Sequence, residues 1–82
     1  MRLMYFAWVR ERIGLPKEEF ASDASTVLEL ISELRQREDR YDLAFSDMSA
    51  IRVALDQELI EDLNTSLEGV SEVAFFPPMT GG

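Results

Sequence analysis

Residues 2–9, Arg-Leu-Met-Tyr-Phe-Ala-Trp-Val, are apolar and aromatic and predict a first β-strand. Alternation puts Leu3, Tyr5, Ala7 and Val9 on one face, and Arg2, Met4, Phe6 and Trp8 on the other. The face without a charge is the expected core face. Gly14 and Pro16 punctuate a turn, and residues 17–21 fit a short polar strand closing a hairpin with the first. Residues 26–38 predict the main helix. Val27, Leu30, Ile31 and Leu34 form one apolar stripe, and Thr26 with Glu29 makes a capping box. Arg35 and Arg37 fall near its C-terminal end, where the macrodipole favours them. Residues 39–48 are charged and irregular, with a helical turn expected around Tyr41–Phe45. Residues 51–55 alternate as a strand with Ile51, Val53 and Leu55 inward. Residues 58–60 fit a short edge strand, Gly69 marks a turn, and residues 72–76 form the last strand. There Val73 and Phe75 face one way, and Glu72, Ala74 and Phe76 the other. The economical arrangement is an α+β fold, a mixed sheet of about five strands packed on one main helix.

Composition narrows the chemistry. Eighty-two residues make one domain at most, and a hydrophobic fraction of 46% suffices for its core. There is no cysteine, so disulfides, thiolate metal sites and a catalytic thiol are excluded. There is no histidine either, which removes the commonest general base. Ser and Thr therefore lack a partner for nucleophilic activation. The four glycines form no phosphate-binding loop. Glu18, Glu19, Asp39, Glu61 and Asp62 read as solvated surface groups. The chain alone is not expected to be an enzyme, and no metal or bound cofactor is expected. A net charge of −8, with Lys17 and seven scattered Arg, argues against nucleic acid and against an anionic membrane surface. It suits docking to a basic protein surface. Neither a signal peptide nor a membrane span is expected, so the default location is cytoplasmic.

The tail holds the candidate chemistry. Pro77 and Pro78 must stop the last strand, because neither can donate to a ladder. They project Met79, Thr80, Gly81 and Gly82 outward near polyproline II geometry. Glycine lacks a Cβ and allows close approach to another surface. Fully extended, the six residues from Pro77 reach roughly 20 Å, enough to enter a deep pocket on another protein. A frayed terminus is the alternative, but a stiff spacer directly after a core strand favours a functional tail. The expected division is a domain over 1–76 and a functional tail over 77–82. Phe6 and Phe76 both lie on non-core faces. If the first and last strands are neighbours, they form an exposed aromatic patch beside the tail, of the kind that marks interfaces. Alternatively, residues 39–48 fold over this face and bury it.

The ending Val-Ala-Phe-Phe-Pro-Pro-Met-Thr-Gly-Gly (73–82) closely resembles the C-terminus of the sulfur-carrying small subunits of molybdopterin synthase. Tyr-Phe-Ala-Trp-Val-Arg-Glu (5–11) resembles that family's first strand and following turn. Asp56 stands where relatives often carry Asn, and residues 68–72 differ from a more acidic turn often seen there. The resemblance spans essentially the whole chain. It implies a ubiquitin-like β-grasp fold. It also implies that a partner adenylyltransferase uses ATP to activate the Gly82 carboxylate, which becomes a thiocarboxylate. The tail, Gly81 included, then enters the large synthase subunit and delivers sulfur to cyclic pyranopterin monophosphate. The resemblance further implies that Phe6, Leu59 and Phe76, with residues 77–80, contact the large subunit in a heterotetramer of two small and two large subunits. Other readings are a sulfur carrier for thiamine synthesis or tRNA thiolation, a ubiquitin-like protein modifier, or an interaction domain with an inert tail. The thiamine and tRNA carriers generally lack Phe-Phe-Pro-Pro before the glycines.

Overall fold

The computed structural model describes residues 1–78. Strands β1 (Arg2–Tyr5), β2 (Lys17–Glu19), β3 (Arg52–Leu55), β4 (Glu58–Ile60) and β5 (Glu72–Phe76) form one sheet in the order β2-β1-β5-β3-β4. β1 and β5 pair in parallel at its centre, and the other pairings are antiparallel. Helices α1 (Ala7–Ile13), α2 (Val27–Arg37) and α3 (Asp39–Ala44) accompany them, with a 3-10 turn at Met48–Ala50. This is the ubiquitin-like β-grasp architecture.

The first strand ends earlier than its alternation predicts. Residues 7–13 are helical, so Trp8 and Val9 lie on α1 and the connection to β2 is no tight hairpin. Two forces compete here. Aromatic and β-branched residues favour a strand locally. Val9 and Ile13, however, are spaced i and i+4, and as a helix both reach the core and are fully buried. Ala7 turns the chain with φ +51°, a left-handed conformation costly for a residue with a Cβ. Gly14 ends α1 at φ +91°, its N–H on the Arg10 carbonyl.

α2 starts as its capping signature predicts. The Thr26 hydroxyl accepts from the Glu29 N–H at 3.2 Å, and the Glu29 carboxylate accepts from the Ser25 N–H. The next orphan donors, the N–H groups of Val27 and Leu28, bond the carbonyls of Thr65 and Leu63. The loop after β4 is thereby tied to the start of α2. The stripe Val27, Leu30, Ile31 and Leu34 is buried in one cluster with Leu3, Tyr5, Val53, Leu55, Val73 and Phe75. α3 and Phe45 join it there. Phe45 meets Phe75 edge-on at 4.9 Å, and Tyr5 stacks on Phe75 at 5.9 Å. Residues 39–45 therefore pack on the core side and leave the other sheet face uncovered.

Glu18 is not the solvated group its sequence neighbourhood predicts. Its side chain is 13% exposed. It accepts from Tyr5 Oη at 2.9 Å, Tyr41 Oη at 2.6 Å and Arg37 Nη1 at 3.1 Å. Arg37 is thus committed to this carboxylate, and Arg35 to Asp42 at 2.8 Å. Burial pushes the Glu18 carboxyl up, but the hydrogen bonds from Tyr41, Tyr5 and Arg37 outweigh it and hold the pKa below its ordinary 4.5. Burial, reinforced by Glu18, raises both phenols. Because the folded pKa is the lower one, Glu18 contributes its stability fully above pH 4.5 and loses it as pH falls through the folded value. Glu18→Gln should cost about 2 kcal/mol at neutral pH. That gap should shrink as thermal unfolding is followed down through pH 4.5. A gap independent of pH would show that the carboxylate charge plays no part.

Candidate functional site

The central parallel pair sets the site. Residues paired directly across neighbouring strands point to the same face. Met4 pairs with Lys17 on β2 and with Ala74 on β5, Ala74 pairs with Ala54 on β3, and Ala54 pairs with Leu59 on β4. One row therefore crosses the open face as Lys17, Met4, Ala74, Ala54, Leu59. Its centre is two alanines, which leave a low floor between Met4 and Leu59. The row nearest the end of β5 holds Phe76 opposite Arg52. Phe6 follows the Tyr5–Phe75 pair, and its N–H donates to the Phe75 carbonyl at 3.1 Å. Phe6 therefore arrives beside Phe76.

Phe6 is 44% exposed and Leu59 57%, while Phe76, Pro77 and Pro78 are partly buried. The expected aromatic patch forms, and Leu59 joins its face from β4. Trp8 does not join it as alternation predicted. It rides on α1, partly packed against the core, with the Arg12 guanidinium 5.0 Å from its ring. Sequence reasoning missed Ala54, Ala74 and Arg52. Their parity was legible, but their shared position needs the strand order. Met79, Thr80, Gly81 and Gly82 lie outside the described residues.

Charges rim this face. At the end away from Phe76, Arg2 lies between Glu19 and Glu72 at 4.0 and 3.6 Å. The β3–β4 turn runs through Asp56 and Gln57, both at positive φ. Asp tolerates that conformation because its short side chain bonds nearby backbone. Here the Asp56 carboxylate accepts from the N–H groups of Ser71 and Glu72 at 3.1 and 2.9 Å and fixes the entry to β5. Among the described residues, no three His, Cys, Asp or Glu side chains come together to hold a metal ion. No described helix is long and apolar enough to cross a membrane. The face can bind through apolar contact.

A β-grasp domain with an open apolar sheet face beside its last strand stands among the small ubiquitin-like domains. The model of the ThiS family matches residues 3–82, and the chain belongs to that family. It is 38% identical to the molybdopterin synthase sulfur carrier subunit of Escherichia coli, over all of this chain and 99% of the relative. Among solved structures it is similar to SAMP1 from Haloferax volcanii, with TM-score 0.73 and 23% identity, covering 100% of this chain and 98% of that one. It is also similar to a chain in the protein–protein complex of subunits 1 and 2 of molybdopterin-converting factor from Helicobacter pylori. There the TM-score is 0.61 and identity 26%, covering 99% of this chain and 96% of the other.

If the face is open, truncating it should barely affect folding. Phe6→Ala and Leu59→Ala should each lower stability by less than about 1 kcal/mol, against about 3–5 kcal/mol for buried Phe75→Ala. Urea titration measures all three. Losses at Phe6 or Leu59 approaching that of Phe75 would place them in the core.

Proposed function

We propose that this chain is the sulfur-carrier subunit of molybdopterin synthase. In this reading, an adenylyltransferase joins the Gly82 carboxylate to AMP at the expense of ATP. Sulfur then replaces the adenylate and leaves a C-terminal thiocarboxylate. The open face docks on the large subunit, and the tail carries the sulfur to cyclic pyranopterin monophosphate. The observation that carries the proposal is the end of the central parallel pair of strands. The strand leading to Pro-Pro-Met-Thr-Gly-Gly is the strand that brings Phe76 beside exposed Phe6. The full-length similarity to a carrier so named supports it. Similarity to a chain of the subunit 1 and 2 complex supports a large-subunit partner.

The chemistry suits such a division. A carboxylate is a poor electrophile until one oxygen becomes part of a good leaving group. A thiocarboxylate sulfur is a good nucleophile near neutral pH. Docking the domain makes sulfur delivery effectively intramolecular, which can contribute several kcal/mol to the rate. The chain itself supplies the reacting terminus and the binding face. ATP belongs to the adenylyltransferase, and the assembly proposed is two small with two large subunits. Pro77, Pro78, Met79 and Thr80 serve in this reading as the part of the tail gripped by the partner, with Gly81 passing its narrowest point.

Intact mass after incubation with an adenylyltransferase, ATP and a sulfur donor tests the carrier step. The expected result is the increase for one oxygen replaced by sulfur, absent when Gly82 is deleted. No increase, with an enzyme proven on a known carrier, would overturn the reading. Docking is tested separately. Phe76→Ala should weaken large-subunit binding about tenfold or more. An unchanged affinity would show that the face is not the docking surface. Gly-Gly remnants on lysines of other proteins would favour the protein-modifier reading instead.

A further inference from the structure

The chain carries seven arginines and a single lysine, Lys17. This asymmetry matters for a protein whose own terminus becomes an acyl donor. A guanidinium stays protonated and does not attack an acyl carbon, whereas a lysine amine has a deprotonated, nucleophilic form. Lys17 opens β2, an edge strand, and is exposed. Its pairing with Met4 puts it at the margin of the open face, in the row of Ala74, Ala54 and Leu59. No ion pair among the described residues engages it.

We infer that Lys17 is the acceptor through which an activated glycyl terminus acylates this domain when sulfur is withheld. The inference rests on the activation of Gly82 proposed above. Lys17 lies two strands from β5, about 10 Å across the sheet. Phe76 lies two residues beyond Ala74, about 7 Å along the strand. Fully extended, six residues span at most roughly 20 Å, more than that separation, so chain length permits the reaction within one molecule. The tail of a second copy reaches it from the open edge. In either case the Lys17 Nζ attacks the carbonyl carbon of the acyl-adenylate, and a C–N bond forms. The C–O bond to the phosphate breaks, AMP leaves with the electron pair, and the amine proton passes to solvent. The adenylyltransferase and ATP are the co-reactants, and no electron is transferred.

The position gives the modification a consequence. An acyl chain on Lys17 lies over the margin of the face that docks the large subunit, so the modified domain is a poor partner. Conversely, a docked large subunit shields the amine. Thiocarboxylation removes the electrophile, because a thiocarboxylate does not acylate amines. Arginine at the other cationic side chains leaves Lys17 and the α-amino group of Met1, 3.5 Å from Glu19, as the amines that could compete, and peptide mapping tells them apart.

The test uses the full chain with adenylyltransferase and ATP, with and without sulfur donor, read by intact mass and peptide mapping. Without donor, a glycyl isopeptide is expected on Lys17. A monomer lighter by one water identifies the chain's own tail as donor, and a covalent dimer identifies a second copy. The product should disappear in Lys17→Arg, which should still form thiocarboxylate when the donor is present. Pre-bound large subunit should suppress it. Thiocarboxylate formation with donor but no Lys17 product without it would overturn the inference, as would a product surviving in Lys17→Arg. Absence of thiocarboxylate in the donor arm would instead overturn the carrier reading, and this inference with it.

Discussion

The structure depends on the parallel register of β1 with β5, in which Leu3 meets Val73 and Tyr5 meets Phe75. That register buries four side chains on the helix side and stacks two of the rings. It also sends the C-terminal ends of both strands the same way. Phe6 and Phe76 arrive together because their predecessors are paired, and α1 begins where the tail leaves. A slip of β5 by one residue would turn Val73 and Phe75 outward and bury Ala74 and Phe76. Parallel neighbours need a crossover, and here the crossover is most of the chain. β3, β4 and all three helices lie between the two central strands in sequence.

The sheet edge beside β1 shows how a small domain holds a marginal element. β2 has three residues, two of them glutamates, and little apolar surface to bury. It is retained by ladder bonds to β1 and by the Glu18 carboxylate, which gathers two buried phenols and a guanidinium. The same cluster ties α2 and α3 to the edge, since Arg37 and Tyr41 come from those helices. A buried tyrosine hydroxyl without a partner would be costly. One carboxylate satisfies two of them. Net charge acts elsewhere. At −8, two copies repel, which opposes pairing through the apolar faces that a partner of opposite charge can cover.

Much of this was legible in the sequence where local signals agreed. α2 was given by its stripe and by Thr26 with Glu29, β5 by alternation against Pro77, and the outward faces of Phe6 and Phe76 by parity. α1 was not legible, because Phe6-Ala7-Trp8-Val9 alternates like a strand while Val9 and Ile13 are also helically spaced. Burial of both in the assembled core decides for the helix, and that core is set by residues far along the chain. Glu18 was misread for a related reason. Its partners Tyr5, Arg37 and Tyr41 are 13, 19 and 23 residues away, beyond any local pattern. The chemistry of Gly81 and Gly82 was carried by sequence and similarity alone.

The proposed reading separates binding and reaction along one strand. β5 contributes Phe75 to the core, Ala74 and Phe76 to the open face, and its continuation to the tail. In the proposed reading, contacts at the face that are equal in the ground and reacting states set where the carrier docks and add nothing selective for the reaction. A terminus of small residues adds little binding of its own but can pass through a passage too narrow for larger side chains. Affinity can thus change at Phe6, Leu59 or Phe76 without altering the reacting atoms. In the proposed reading the same face can meet partners at successive steps, because those steps differ in the state of the terminal carboxyl and not in the side chains of the face.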